Sequence, residues 1–117
     1  MSTIFDSNSL EVTPEQAQAA LAEDKAQLID VREPYEWEAG RIEGAEHIAV
    51  DQLQFNLTKI DSDRPVIFQC RVGGRSMMAA QALRSVGIDA YSMAGGLLRW
   101  AEEERPIIPA GGHVANH

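Results

Sequence analysis

The sequence predicts an α/β domain with a central, mostly parallel sheet of about five short strands. One observation is that short apolar runs alternate with helical patterns. This alternation indicates a parallel sheet, because parallel strands need crossover connections. A second is that 117 residues, 44% of them hydrophobic, suffice for one domain with a buried core. A third is that distinctive polar residues and a cysteine follow two of the strands, at the edge where open α/β sheets bind ligands. We therefore expect helices on both faces of the sheet and a site at this edge.

The first two elements are a short strand at 10–12 and a helix that follows it directly. Thr13 is the expected helix cap and Pro14 the first helical residue, with Gln16 completing a capping box. The expected buried stripe of this helix consists of Ala17, Ala20 and Leu21.

The middle of the chain predicts two more strands and two helical segments. The β-branched run 27–31 suits a strand, and 34–39 is a helical turn that ends at Gly40. Residues 47–50 form the next expected strand, and Asp51 is the expected cap of another helix. The apolar face of that helix should carry Leu53, Leu57 and Ile60.

The fourth strand is predicted at 66–69, opened by Pro65, and a long helix should follow Cys70. Gly87 is a natural C-terminal cap for this helix. The last strand is expected at 90–93.

Gly95 and Gly96 lead into a final helix that should end before Pro106. The core of the single predicted domain covers about 9–106, and 107–117 is expected to be an irregular tail.

Composition and charge limit the classes of partner. The formal net charge of −8 argues against nucleic acid and anionic membranes. No apolar run approaches membrane-spanning length, and residues 1–6 lack the features of a signal peptide. The single cysteine excludes an internal disulfide and suits a reducing cytoplasm. We expect a cytoplasmic protein in which any positive charge that binds an anion is local.

Cys70 stands where the strand at 66–69 gives way to a loop and a helix. Such a loop can direct several backbone N–H groups at one point, beside the positive end of the helix dipole. These groups favour the thiolate, which is the reactive form of cysteine. Buried cysteines are often inert, but packing alone requires neither two arginines nor paired glycines directly after the thiol. We therefore interpret Cys70 as a nucleophile that attacks a negatively charged substrate.

The residues after the thiol form the predicted substrate-binding loop: Arg71, Val72, Gly73, Gly74, Arg75 and Ser76. Its arginines offer forked positive groups to an anion, and its glycines permit a tight cradle of N–H groups. Ser76 either caps the following helix or donates its hydroxyl to the thiolate, and the sequence leaves both open.

Asp30, Arg32 and Arg41 are supporting candidates. Asp30 and Arg32 are expected to form a structural salt bridge or to hydrogen-bond the next turn. The spacing of the histidines and the cysteine suggests no metal site, and nothing in the sequence calls for a cofactor.

Four segments, in order, resemble the motifs of the rhodanese family of sulfurtransferases: LIDVREPYEW (28–37), GRIEGAEHI (40–48), CRVGGRS (70–76) and AGGLLRW (94–100). The resemblance implies a rhodanese-like domain over 1–117. In the family, the arginine that matches Arg32 helps to organise the active site. Many members carry histidine where this chain has Arg41, so a site role for Arg41 does not carry over directly.

The resemblance also implies a function. Sulfane sulfur would pass from thiosulfate or a related small anionic donor to a thiophilic acceptor through a persulfide on Cys70. Because the chain has no second cysteine, the acceptor must be external: cyanide, a small thiol or a protein thiol. The oligomeric state stays open.

Two other functions remain as alternatives. One is a sulfur-carrier or protein-interaction module with little small-molecule turnover. The other is a cysteine phosphatase or arsenate reductase on the same fold. Cysteine phosphatases place five residues between cysteine and arginine, whereas four separate Cys70 from Arg75. The shorter loop favours a single sulfur atom over a tetrahedral phosphate.

Overall fold

The computed structural model describes residues 4–116. The strands are β1 (Glu11–Val12), β2 (Gln27–Asp30), β3 (Glu46–His47), β4 (Val66–Gln69) and β5 (Ala90–Met93). The α-helices are α1 (Pro14–Ala22), α2 (Pro34–Ala39), α3 (Gly74–Arg84) and α4 (Gly96–Glu102), and two 3-10 helices cover Val50–Phe55 and Leu57–Lys59. The strands form one parallel sheet in the order β1-β5-β4-β2-β3. The predicted fold class is therefore confirmed.

The two faces of the sheet bury separate apolar clusters, because successive side chains of a strand point to opposite faces. In β4, Ile67 joins the cluster beneath α1 and α4, together with Tyr91 and Trp100. Phe68 and Cys70 join the cluster beneath α3. Helices thus cover both faces, and Cys70 lies on the α3 face.

The start of α1 follows the predicted capping box. The Thr13 hydroxyl accepts the Gln16 N–H at 3.0 Å, and the Gln16 side chain accepts the Thr13 N–H at 2.8 Å. Pro14 occupies the first turn, where its missing N–H costs no hydrogen bond. Ala17 and Ala20 are buried and Leu21 is half-buried, as the stripe predicts.

The segment after β3 departs from the prediction. β3 ends at His47, and the next residues form two 3-10 helices where one capped helix was expected. Ala49 holds the cap position, so Asp51 lies inside the first turn. Asn56, at φ −129°, interrupts the helical backbone between the two 3-10 helices. The expected apolar face is consequently broken: Leu53 is buried, whereas Leu57 is exposed.

The described part of the tail runs back over the end of α2 and the residues that follow it. Ile108 forms an isolated bridge with Arg41, and the His113 N–H donates to the Ala39 carbonyl at 2.9 Å. Val114 packs against the cluster beneath α1 and α4. His117, which the sequence places in the tail, lies outside the described residues. None of the helices in the part that the structure describes has the length and apolar character to cross a membrane.

Candidate active site

The parallel order brings the carboxyl ends of β2 and β4 side by side, with Asp30 opposite Gln69. Cys70 follows directly and is 1% exposed. The sequence-predicted nucleophile and the Asp30–Arg32 segment therefore meet at one edge of the sheet.

The sulfur of Cys70 is surrounded by hydrogen-bond donors. The Gly73 N–H points to Sγ at 3.1 Å and the Ser76 N–H at 3.4 Å. The Ser76 hydroxyl oxygen lies 3.5 Å from the same sulfur. Since a thiolate accepts hydrogen bonds more strongly than a neutral thiol does, these groups lie where they can stabilise negative charge on the sulfur.

Gly73 shapes the loop. It has a φ of +114°, a left-handed conformation that side chains disfavour, and it precedes the first helical residue of α3. Its carbonyl accepts the Met77 N–H at 3.0 Å, which starts the helix. Because Gly73 is the N-cap, the cap role that the sequence left open for Ser76 is excluded.

The start of α4 holds the other side of the loop. The Leu97 N–H donates to the Cys70 carbonyl at 2.8 Å, and the Leu98 N–H donates to the Arg71 carbonyl at 3.0 Å. Gly96 has a φ of +61°, and a Cβ there would lie 2.5 Å from both carbonyl oxygens. The Gly95-Gly96 pair predicted to open this helix thus lets the helix approach the loop backbone.

Arg75 forms an ion pair that sequence reasoning missed. Its guanidinium donates to both carboxylate oxygens of Glu36, at 2.7 and 3.1 Å. The Glu36 side chain is fully buried, whereas that of Arg75 is 26% exposed. Glu36 also accepts the Glu33 N–H at 3.0 Å, within a capping box at the start of α2. The only sequence signal for an ordered Glu36 side chain was its position three residues after Glu33, which is the spacing of a capping box.

The two partners shift each other's titration. Burial raises the pKa of Glu36, but the hydrogen bonds from Arg75 and from the Glu33 N–H, with the charges of Arg75 and Arg32, hold it below its usual value. The hydrogen bonds to Glu36 raise the pKa of Arg75 further, against the effect of burial. The charge of Arg75 is therefore matched locally by a carboxylate.

Arg71 turns toward the tail. Its Nε donates to the Ala115 carbonyl at 3.1 Å, and its Nη2 donates to Asn116 Oδ1 at 3.3 Å. Both of these acceptors are neutral, so neither offsets the positive charge of the guanidinium at the edge of the loop.

Asp30 and Arg32 form the predicted structural salt bridge. Arg32 Nη2 lies 2.7 Å from Asp30 Oδ2, and both side chains are fully buried. The same guanidinium nitrogen donates to the Gly40 carbonyl at 2.7 Å. Arg41 lies apart from this pair: its guanidinium sits 5.0 Å from the centre of the Trp37 ring, and Nη1 donates to the Trp37 carbonyl at 3.2 Å.

The outer part of the loop remains accessible. Val72 is 49% exposed and Gly74 is also exposed. Within residues 4–116, the backbone N–H groups of Arg71, Val72 and Gly74 donate to no other group. The loop thus offers further donors beside those that already face the sulfur. No group of three or more potential metal ligands occurs in the described part of the chain.

Comparisons with known proteins identify one family. The model of the rhodanese-like domain family matches residues 13–103. Among curated relatives, the uncharacterized protein YqhL of Bacillus subtilis is 47% identical over 77 residues, covering 65% of this chain and 61% of that protein. The probable adenylyltransferase/sulfurtransferase MoeZ of Mycobacterium tuberculosis is 36% identical over 85 residues, covering 70% of this chain and 22% of that protein.

A solved structure agrees with the sequence relatives. The crystal structure of a rhodanese-like domain protein from Staphylococcus aureus superimposes with a TM-score of 0.72 at 27% identity, covering 91% of this chain and 98% of that one. The chain spans less than two thirds of the length of both curated relatives, at 61% and 22%.

Proposed function

This chain belongs to the rhodanese-like domain family, and from that premise we propose that it is a sulfurtransferase that works through a persulfide on Cys70. The observation that carries the proposal is the set of donors around the thiol. Two backbone N–H groups and one hydroxyl lie within 3.5 Å of the sulfur. The loop backbone fixes the two N–H groups, so they stabilise negative charge on sulfur without having to reorganise during the reaction.

The first step is attack of the Cys70 thiolate on the outer sulfur of thiosulfate. A bond forms between Sγ and that sulfur, the sulfur–sulfur bond of thiosulfate breaks, and sulfite leaves with the bonding electron pair. The thiolate and thiosulfate together carry three negative charges. The Cys70 persulfide anion and the sulfite that form carry the same total.

The second step passes the outer sulfur to an acceptor. With cyanide, a carbon–sulfur bond forms as the persulfide bond breaks, giving thiocyanate and the original thiolate. A small thiol or a protein thiol is the other acceptor class that we propose. The single thiol must stay reduced between turnovers, so we place the reaction in the cytoplasm.

We assign donor binding to the loop residues 71–76. The N–H groups of Arg71, Val72 and Gly74 supply hydrogen bonds, and the Arg71 guanidinium supplies charge at the edge. Because Glu36 matches the charge of Arg75, the pair holds the loop in place more than it attracts the anion. This local arrangement offsets the net charge of −8 only near the thiol.

A sulfur-carrier module is the second candidate. The relative MoeZ supports it, because the region that matches this chain is one part, 22%, of a larger protein. Such a region can pass sulfur to another part of the same protein. In that case a persulfide forms on Cys70, but transfer to cyanide is slow and a protein acceptor is required. The phosphatase alternative receives less support, because Arg75 already holds both oxygens of Glu36.

Turnover assays separate these functions. We expect thiocyanate to form from thiosulfate and cyanide. Double-reciprocal plots of its rate should give the parallel lines of a ping-pong mechanism. Cys70→Ser should abolish the product, whereas Ser85→Ala, a change at an exposed serine, should leave it unchanged. Thiocyanate formation by folded Cys70→Ser at the wild-type rate contradicts the proposal, and so does hydrolysis of p-nitrophenyl phosphate without any thiocyanate.

A further inference from the structure

Ser92 is a fully buried hydroxyl that neither the sequence motifs nor the proposed reaction uses. It lies on β5, whose alternate residue Ala90 belongs to the cluster beneath α3 that also contains Cys70. Ser92 therefore points to the face of the sheet on which the nucleophile lies. Within residues 4–116 its hydroxyl has one hydrogen-bond partner, Ser76 Oγ at 2.8 Å.

The Ser76 hydroxyl is the link between Ser92 and the thiol. It has three neighbours: the Gly73 carbonyl at 3.2 Å, Ser92 Oγ at 2.8 Å and Cys70 Sγ at 3.5 Å. A hydroxyl carries one proton and two acceptor lone pairs, so only one of these contacts is a donation by Ser76.

When Cys70 is a neutral thiol, one arrangement satisfies every group. Ser76 donates to the Gly73 carbonyl, and it accepts from Ser92 and from the thiol. If Ser76 donated to Ser92 instead, the proton of Ser92 would be left without a partner at a fully buried position, which is costly. Ser92 is therefore the donor in its contact with Ser76.

When Cys70 is a thiolate, the sulfur can only accept. The Ser76 proton must then turn from the Gly73 carbonyl to Sγ, since otherwise an oxygen lone pair would face the negative sulfur. The Gly73 carbonyl keeps the Met77 N–H at 3.0 Å, so it is not left unsatisfied. Ser92 still donates to Ser76, and this polarises the Ser76 hydroxyl toward the thiolate.

We propose that Ser92 is a positioning residue, which holds the Ser76 hydroxyl so that its proton turns onto the Cys70 sulfur when the thiolate forms. The role belongs to the same site as the proposed sulfur transfer and rests on Cys70 being its nucleophile. It does not depend on which donor or acceptor the protein uses.

A double-mutant cycle tests this proposal. The variants are Ser92→Ala, Ser76→Ala and the double variant, with Ser92→Thr as the hydroxyl-retaining variant and Ser85→Ala as an exposed control. The readouts are the rate of Cys70 alkylation by iodoacetamide at fixed neutral pH and the ultraviolet absorbance of the thiolate. Urea unfolding confirms that each variant is folded.

Ser92→Ala should slow alkylation roughly threefold to tenfold, the effect of one hydrogen bond, and should lower the thiolate absorbance. Ser92→Thr should restore most of both, and Ser85→Ala should match the wild type. In the Ser76→Ala background, Ser92→Ala should have no further effect, because Ser92 acts only through Ser76.

Two results overturn the proposal. One is an unchanged alkylation rate in folded Ser92→Ala. The other is the same loss from Ser92→Ala with or without the Ser76 hydroxyl, which assigns Ser92 to packing. Alkylation requires no sulfur donor, so the variants still decide the role of Ser92 if the proposed function fails. A wild-type protein that takes no sulfur from thiosulfate would refute the proposed function alone.

Discussion

Two ion pairs lie close to the Cys70 loop, and water reaches only one of them. Asp30 and Arg32 are both fully buried, and Arg32 also bonds the Gly40 carbonyl. Glu36 is fully buried as well, but the side chain of its partner Arg75 is 26% exposed. The first pair joins parts of the framework, whereas the second joins the loop to α2.

The difference shows how a chain can place arginines beside a nucleophile without leaving their charges free. A buried charge that loses its partner is strongly destabilising, because its lost hydration is no longer compensated. An exposed guanidinium that loses its partner recovers water. The two pairs should therefore respond differently when one member is removed.

The largest effect is expected for Asp30→Asn. This change leaves the Arg32 guanidinium fully buried beside a neutral amide, and we expect a loss of about 3–5 kcal/mol in the free energy of unfolding. Urea unfolding measures it. Glu103→Gln is the matched control, since it removes a carboxylate that pairs with Arg99 and Arg105 at the surface and should change the midpoint little. Equal losses in the two variants would show that burial does not raise the cost of removing the Asp30 carboxylate.

A smaller loss is expected for Arg75→Ala. The Glu36 carboxylate then loses both hydrogen bonds from the guanidinium but keeps the Glu33 N–H and the nearby charge of Arg32, so the change should cost about 1–3 kcal/mol. Arg75→Lys should recover part of this loss, because it restores the charge but not the two-pronged contact. Glu36→Gln should cost less than Arg75→Ala, since the cation that it leaves behind reaches solvent. The reverse order in urea unfolding contradicts this account of the pair.

The smallest effect is a dependence on pH. The pKa of Glu36 is lowered in the folded protein from a usual value of 4.5, so its pair stabilises the fold above that value. This stabilisation is lost as the pH falls below 4.5 and through the folded pKa. The difference in unfolding free energy between wild type and Glu36→Gln should therefore shrink on acidification. A difference that stays constant from neutral pH to about pH 3 would show that the ionisation of Glu36 is not linked to folding.

Local sequence rules predicted the parts of this fold that depend on neighbouring residues. Thr13 and Gln16 form their capping box, and strands β4 and β5 lie at the expected positions. The placement of Cys70 at the end of β4 follows from the same patterns. Each of these features is decided within a few residues, so the sequence alone was sufficient.

The contacts that the sequence did not predict join distant parts of the chain. Glu36 has the sequence context of a residue on an exposed helical turn, and its burial depends on Arg75, 39 positions later. Arg71 contacts Ala115 across 44 positions. Ser92 contacts Ser76 only because the register of β5 puts it on the α3 face. Such contacts follow from sheet order and packing, which no short motif contains.

The central claim is that Cys70 carries sulfur, and intact-mass spectrometry after incubation with thiosulfate tests it most directly. Protein freed of excess reagent should gain the mass of one sulfur atom, and addition of cyanide should remove it. Cys70→Ser, confirmed to be folded, should gain nothing. An unchanged mass in the folded wild type, or an equal gain in Cys70→Ser, would contradict the claim.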